Sequence, residues 1–163
     1  MYEHYYKLTA EPFRLSPDHR FCFRHKRYTK ARAYMAYALR RAEGFVMITG
    51  SPGTGKTTLI GDLKESLSRE NVRVANLVST QLAADDLLRM VAFAFGISAE
   101  REKKSALLQQ LEKLFTSLQR EGKRALLIVD EAQDLSRSAM EELRLLTNLQ
   151  VEGRPSLQVF LLG

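Results

Sequence analysis

Eight consecutive residues, Gly50-Ser51-Pro52-Gly53-Thr54-Gly55-Lys56-Thr57, match the pattern G-x-x-x-x-G-K-[ST] in full. Glycines at this spacing let the backbone curl so that successive N–H groups point inward, a geometry that cradles phosphate oxygens. A helix beginning near Lys56 adds its positive dipole end at the same place. In that arrangement Lys56 reaches the β- and γ-phosphates and Thr57 sets its hydroxyl on Mg²⁺, while Thr58 either contacts the α-phosphate or packs.

Leu126-Leu127-Ile128-Val129-Asp130-Glu131 supplies the expected partner, an apolar run that ends in two carboxylates. Magnesium needs an oxygen ligand opposite Thr57, and an attacking water needs a base. Asp130 is assigned to the metal, through water, and Glu131 to the nucleophile. A second carboxylate also argues for hydrolysis or remodelling over the small-GTPase plan, in which a glutamine positions the water. Gln133 and Asp134 lie just beyond, and Gln133 is a candidate for a γ-phosphate contact. His4, His19 and His25 lack the paired spacing of a metal site and are read as solvated or partner-facing.

These groups need strands to aim them and helices to cover those strands. Residues 45–49 form a short apolar run entering the glycine-rich loop, which suits a buried parallel strand. Leu59, Ile60, Leu63 and Leu67 mark one face of the following helix, and residues 72–78 read as a second strand. Helices are expected over 84–95, stopped by Gly96, and over 104–120. Met90, Phe93 and Phe95 are read as core. Residues 125–129 form a third strand, Ser138 has capping-box spacing for a helix running to Leu149, and residues 157–162 form a fourth strand. Ahead of these, residues 2–28 read as an irregular basic lead-in, and Thr29 as the cap of an amphipathic helix over 30–41. Strands alternating with helices argue for a parallel sheet covered on both faces, with ligands at the carboxyl ends of the strands.

The chain has 163 residues, the size of one domain, and its 45% hydrophobic and 27% charged residues are ordinary for a globular protein. Its net charge is +6, and the excess sits in the first 41 residues, which hold ten basic and three acidic side chains. The single cysteine, Cys22, excludes an internal disulfide and is read as packing. No apolar run approaches the ~18 residues needed to cross a bilayer, and the opening residues lack the pattern of a signal peptide. A cytoplasmic protein, peripheral to the inner face of the cell membrane at most, is expected.

The phosphate loop and the Val129-Asp130-Glu131-Ala132-Gln133 strand end resemble the AAA+ branch of P-loop ATPases. With the leading pattern Tyr6-x-Leu8, Pro12-Phe13, Ser16-Pro17-Asp18 and Phe21, and with Gly44-Phe45-Val46, they resemble the general secretion pathway protein A (ExeA-like) family. That family includes relatives beside exosortase and exopolysaccharide loci. The resemblance implies a three-layer α/β/α P-loop NTPase fold with a mostly parallel sheet in the order 1-4-3-2. It implies a lead-in over 1–43, with residues 12–21 folding against the nucleotide around the adenine, and an ATPase core over 44–163. Family members continue into a fifth strand, an arginine finger and a helical lid, beyond the point where this sequence stops. The implied activity is therefore ATP binding with slow Mg²⁺-dependent hydrolysis. Implied partners are ATP, further copies through an AAA+ type interface, and a membrane-associated secretion component.

The first functional expectation is an ATPase of cell-envelope secretion or assembly. An alternative is a DNA-binding regulator of the transposition-ATPase type, with the basic aromatic lead-in on the phosphate backbone. A helicase fragment is a lesser alternative, since a helicase needs a second motor lobe that this length cannot hold. A module that holds ATP as a switch without hydrolysing it is the last, and Glu131 argues against it.

Overall fold

A computed structural model of the chain describes residues 2–9, 22–42, 44–67, 70–78, 83–99, 102–151 and 153–163. The readings of residues 12–21 and of His19 fall outside the described residues. In chain order the elements are α1 (Tyr2–Tyr5), α2 (Lys26–Arg41), β1 (Phe45–Ile48), α3 (Lys56–Leu67), β2 (Val72–Val78), α4 (Ala84–Ala94) and α5 (Lys104–Arg120). They continue with β3 (Arg124–Asp130), α6 (Arg137–Thr147), β4 (Gln150–Val151), β5 (Arg154–Pro155) and β6 (Leu157–Leu162).

The main sheet runs β1-β6-β3-β2 and every pairing in it is parallel. With β6 the fourth long strand along the chain, this is the order 1-4-3-2. In β3, Ala125, Leu127 and Val129 face a core built with α4, α5 and α6, while Leu126 and Ile128 face a second core built with α2 and α3. β6 divides likewise: Leu157, Val159 and Leu161 point one way, Phe160 and Leu162 the other. Side chains alternate across a strand, so a strand covered on both faces must be apolar at every position. The run at 125–129 meets that requirement, and 157–162 meets it except at Gln158, a buried side chain whose Nε2 donates to the Ala38 carbonyl at 3.2 Å. The chain folds as the expected three-layer α/β/α P-loop arrangement.

Several local expectations are corrected. β1 is not buried on both faces: at the edge of the described sheet, Met47 is 66% exposed and Phe45 37%. Of the three residues read as core on or at the end of α4, Phe95, which caps the helix C-terminus, alone is buried. The buried stripe of that helix is Leu87, Leu88, Val91 and Ala92, which turns Met90 and Phe93 to solvent. α2 begins at Lys26, where the His25 side chain accepts from Tyr28 N–H, so His25 rather than Thr29 is the cap. The cap of α6 is Ser136, accepting from Ala139 N–H at 3.2 Å, and not Ser138. That helix ends at Thr147, and a β4–β5 hairpin fills the interval before β6.

Phe160 is wholly buried in the α2/α3 core. Phe160→Ala is expected to lower unfolding free energy by about 3–5 kcal/mol, read from the urea midpoint at unchanged slope.

Candidate functional site

β1 delivers the chain to the glycine-rich loop, and two ladder bonds fix where the loop starts. Gly163 N–H donates to the Ile48 carbonyl at 3.0 Å, and Gly50 N–H donates to the Gly163 carbonyl at 3.0 Å. The loop then closes on itself: Thr54 N–H and Oγ1 both donate to the Ser51 carbonyl, at 3.3 and 2.8 Å. Gly53 and Gly55 carry φ of +78° and +86°, and a Cβ at either would meet no atom within 4 Å. The demand for glycine there comes from the left-handed backbone, not from crowding. Lys56 opens α3 and turns its ammonium back over the loop, donating to the Gly50 carbonyl at 2.6 Å and to Ser51 at 3.4 Å.

Two strands across the parallel sheet from β1, with β6 between them, β3 ends in the carboxylates. Thr57 Oγ1 donates to Asp130 Oδ2 at 3.2 Å, so the first turn of α3 and the end of β3 meet directly. The other oxygen of Asp130 accepts from Glu131 N–H at 3.1 Å. Glu131 sits at φ +54°, ψ +41°, a left-handed conformation uncommon outside glycine. Its exposed carboxylate accepts from Gln133 Nε2 at 2.6 Å. A Cβ at Gly163 would lie 2.9 Å from Gln133 Oε1, so the end of β6 abuts this turn.

Gly50 to Thr57, Asp130, Glu131 and Gln133 therefore gather at the carboxyl ends of β1 and β3. Thr58 is half-buried on α3 beside them, and Asp134 lies exposed in the 3₁₀ turn Ala132–Asp134. Lys64 is two turns beyond Thr57 on α3. Burial lowers the pKa of its ammonium, with the Asp130 charge working in the opposite direction.

A cleft of about 710 Å³ opens beside the loop, with Ile48, Gly50, Gly55, Lys56 and Leu59 on one side. Cys22, Phe23, His25, Arg27, Tyr28 and Ala31 form the other. Most of these wall residues escaped sequence reasoning because a short segment before a helix has no periodicity to read.

Thr57 and Asp130 present hard oxygen donors side by side, and the loop holds an ammonium on carbonyls alone, so the site suits a magnesium-bound polyphosphate. Among the described residues no group of three or more His, Cys, Asp or Glu could hold a metal by itself. An ion here would complete its shell with phosphate oxygens and water, as magnesium commonly does.

Residues 39–163 match the AAA domain family. The chain belongs to that family. Over its whole length it is 36% identical to general secretion pathway protein A of Aeromonas hydrophila, of which it spans 30%. Over 104 residues, 64% of the chain, it is 29% identical to the ATP-dependent target DNA activator B of Escherichia phage Mu, covering 31% of that protein. Among solved structures, Cdc6p of Pyrobaculum aerophilum superposes with a TM-score of 0.68 at 19% identity, over 93% of this chain and 41% of that one. The Aeropyrum pernix ORC2 protein, solved as ADPNP–ADP complexes, gives 0.61 at 20% identity over 86% and 41%. These likenesses bear out both the AAA+ fold and the kinship with general secretion pathway protein A.

The left-handed backbone at Glu131 costs on the order of 1–3 kcal/mol in a non-glycine residue. Glu131→Gly is expected to hold or raise unfolding free energy by up to about 1 kcal/mol, while β-branched Glu131→Val lowers it by more than about 1 kcal/mol in the same urea titration.

Proposed function

We propose that the chain binds ATP and hydrolyses it, in a magnesium-dependent reaction, as part of a cell-envelope secretion or assembly machine. The observation that carries the reading is the Thr57–Asp130 contact, with Glu131 next in sequence and Lys56 one residue away. The whole-length likeness to general secretion pathway protein A supports the secretory setting. We place the lead-in at residues 1–43 and the ATPase core at 44–163, and we place the protein in the cytoplasm or at the inner face of the membrane. Self-association through an AAA+ type interface belongs to the same proposal.

The chemistry assigned to each group follows from its position. Gly50 to Thr58 would wrap the phosphates with backbone N–H groups and the α3 terminus. Lys56 exchanges its two loop carbonyls for β- and γ-phosphate oxygens, which as anions are the stronger acceptors. Thr57 and Asp130 would hold Mg²⁺, which when bound neutralises charge across the β- and γ-phosphates. Glu131 accepts the proton of the attacking water. Gln133, through its bond to Glu131, orients that carboxylate and lies at the γ-phosphate edge.

A second reading, a DNA-bound regulator, is supported by the likeness to the phage Mu target DNA activator. The basic, aromatic lead-in would then contact the phosphate backbone, and hydrolysis would rise with duplex DNA and fall steeply with salt. The first reading expects slow turnover indifferent to DNA.

Lys56→Ala is expected to abolish ATP binding in a calorimetric titration, and normal affinity in that variant would contradict the loop's role. Glu131→Gln is expected to bind Mg-ATP normally while turnover falls by at least about 100-fold. Undiminished hydrolysis would move the base elsewhere.

A further inference from the structure

Asp62 stands on α3 between Leu59 and Leu63, within the buried stripe of that helix, and is 4% exposed. A carboxylate in such a position needs partners, because burial penalises the charged form heavily. All of those found here come from outside α3. Arg32 Nε pairs with Oδ2 at 2.8 Å, off the line of its N–H. Arg24 Nη2 reaches Oδ1 at 3.5 Å, and the Tyr28 hydroxyl donates to Oδ2 at 3.3 Å. Burial, and then the Asp62 carboxylate, push the Tyr28 phenol up to about 12, so it remains a donor.

Those three partners lie on α2 or just before it. The same stretch, Cys22 to Tyr28, forms the wall of the cleft opposite the phosphate loop. The helix that begins at the loop thus carries, two turns further along, the carboxylate that grips the opposite wall. Net stability is a poor explanation for this arrangement, since burying Asp62 costs desolvation while Arg24 and Arg32, whose side chains are 59% and 42% exposed, attract it through solvent-screened contacts. An apolar residue would continue the stripe with less penalty. What a carboxylate with two hydrogen bonds and an ion pair adds is register between α2 and α3.

Phosphates taken by Gly50 to Thr57 leave the rest of the cleft for the nucleoside. Its surfaces there include apolar and aromatic side chains, Phe23, Tyr28 and Ala31 on the wall and Ile48 and Leu59 on the core, beside the polar His25 and Arg27. Phe23 is 85% exposed, with a ring face free to meet a planar base.

We propose that Asp62 is a positioning residue for nucleotide, holding the Cys22–Tyr28 wall through Arg24, Tyr28 and Arg32 at the separation that a base and ribose require. It sets the nucleoside share of the affinity and leaves the phosphate share to the loop. The proposal rests on the nucleotide reading above.

The test titrates the whole chain calorimetrically with Mg-ATP and, separately, with magnesium tripolyphosphate, which has no nucleoside. The variants are Asp62→Asn and Arg24→Ala, the second because the Arg24 side chain is 59% exposed and its loss leaves the core intact. In both, ATP affinity is expected to fall about tenfold while tripolyphosphate affinity stays at the wild-type value. Equal losses for the two ligands would overturn the proposal, reducing Asp62 to a support of the fold, and so would unchanged ATP affinity in both variants. Wild-type protein that binds tripolyphosphate as tightly as ATP overturns it too. Failure of the wild type to bind either ligand would overturn the nucleotide reading itself.

Discussion

The site depends on one constraint: β6 lies in parallel between β1 and β3 and holds their carboxyl ends at a fixed separation. Ile48 pairs with Leu162 and Val129 with Leu161, so the two ends finish within one residue of the same height. The loop that follows β1 and the carboxylates that end β3 are then close enough for Thr57 to bond Asp130 directly. Neither segment could reach the other by local folding. The register itself is secured by burial, since every residue of β6 is buried and a slip by one position would exchange its two core faces.

On that frame the charged groups are held apart from one another by backbone geometry. Lys56 lies over its own loop, bonded to carbonyls. Asp130 is committed to Thr57 and to the Glu131 amide, which leaves Glu131 as the exposed carboxylate of the pair. The left-handed turn at Glu131 projects that carboxylate out of the strand direction, where Gln133 meets it. Strain at a residue with a chemical assignment is a common association, because the surrounding packing must pay for a conformation the residue would not choose alone.

Much of this was legible in the sequence, and for physical reasons. A strand buried on both faces must be almost uniformly apolar, so residues 125–129, and 157–162 apart from Gln158, announced themselves. A phosphate loop requires glycine, lysine and threonine at fixed intervals, so Gly50 to Thr57 did too. The misreadings arose where tertiary packing decides. Met90 and Phe93 are apolar but sit on the outer side of α4, where the described residues leave them 41% and 73% exposed. β1 reads as buried, yet its outer side is an edge. Helix starts shifted by a few residues because His25 and Ser136 reached the free amides first. Asp62 did leave a sign, a carboxylate inside the stripe Leu59, Ile60, Leu63 and Leu67, but its partners Arg24 and Arg32 come from a different helix and a preceding segment that no periodicity links to it.

The central claim is that the Thr57 hydroxyl and the Asp130 carboxylate, brought together by the sheet, form the magnesium side of a nucleotide site. It is tested most directly by measuring ATP affinity with and without magnesium in the wild type, Thr57→Ala and Asp130→Asn. Magnesium is predicted to tighten ATP binding to the wild type and to have little effect on either variant, with magnesium-free affinity preserved in both. The same magnesium-dependent gain in all three proteins would contradict the account.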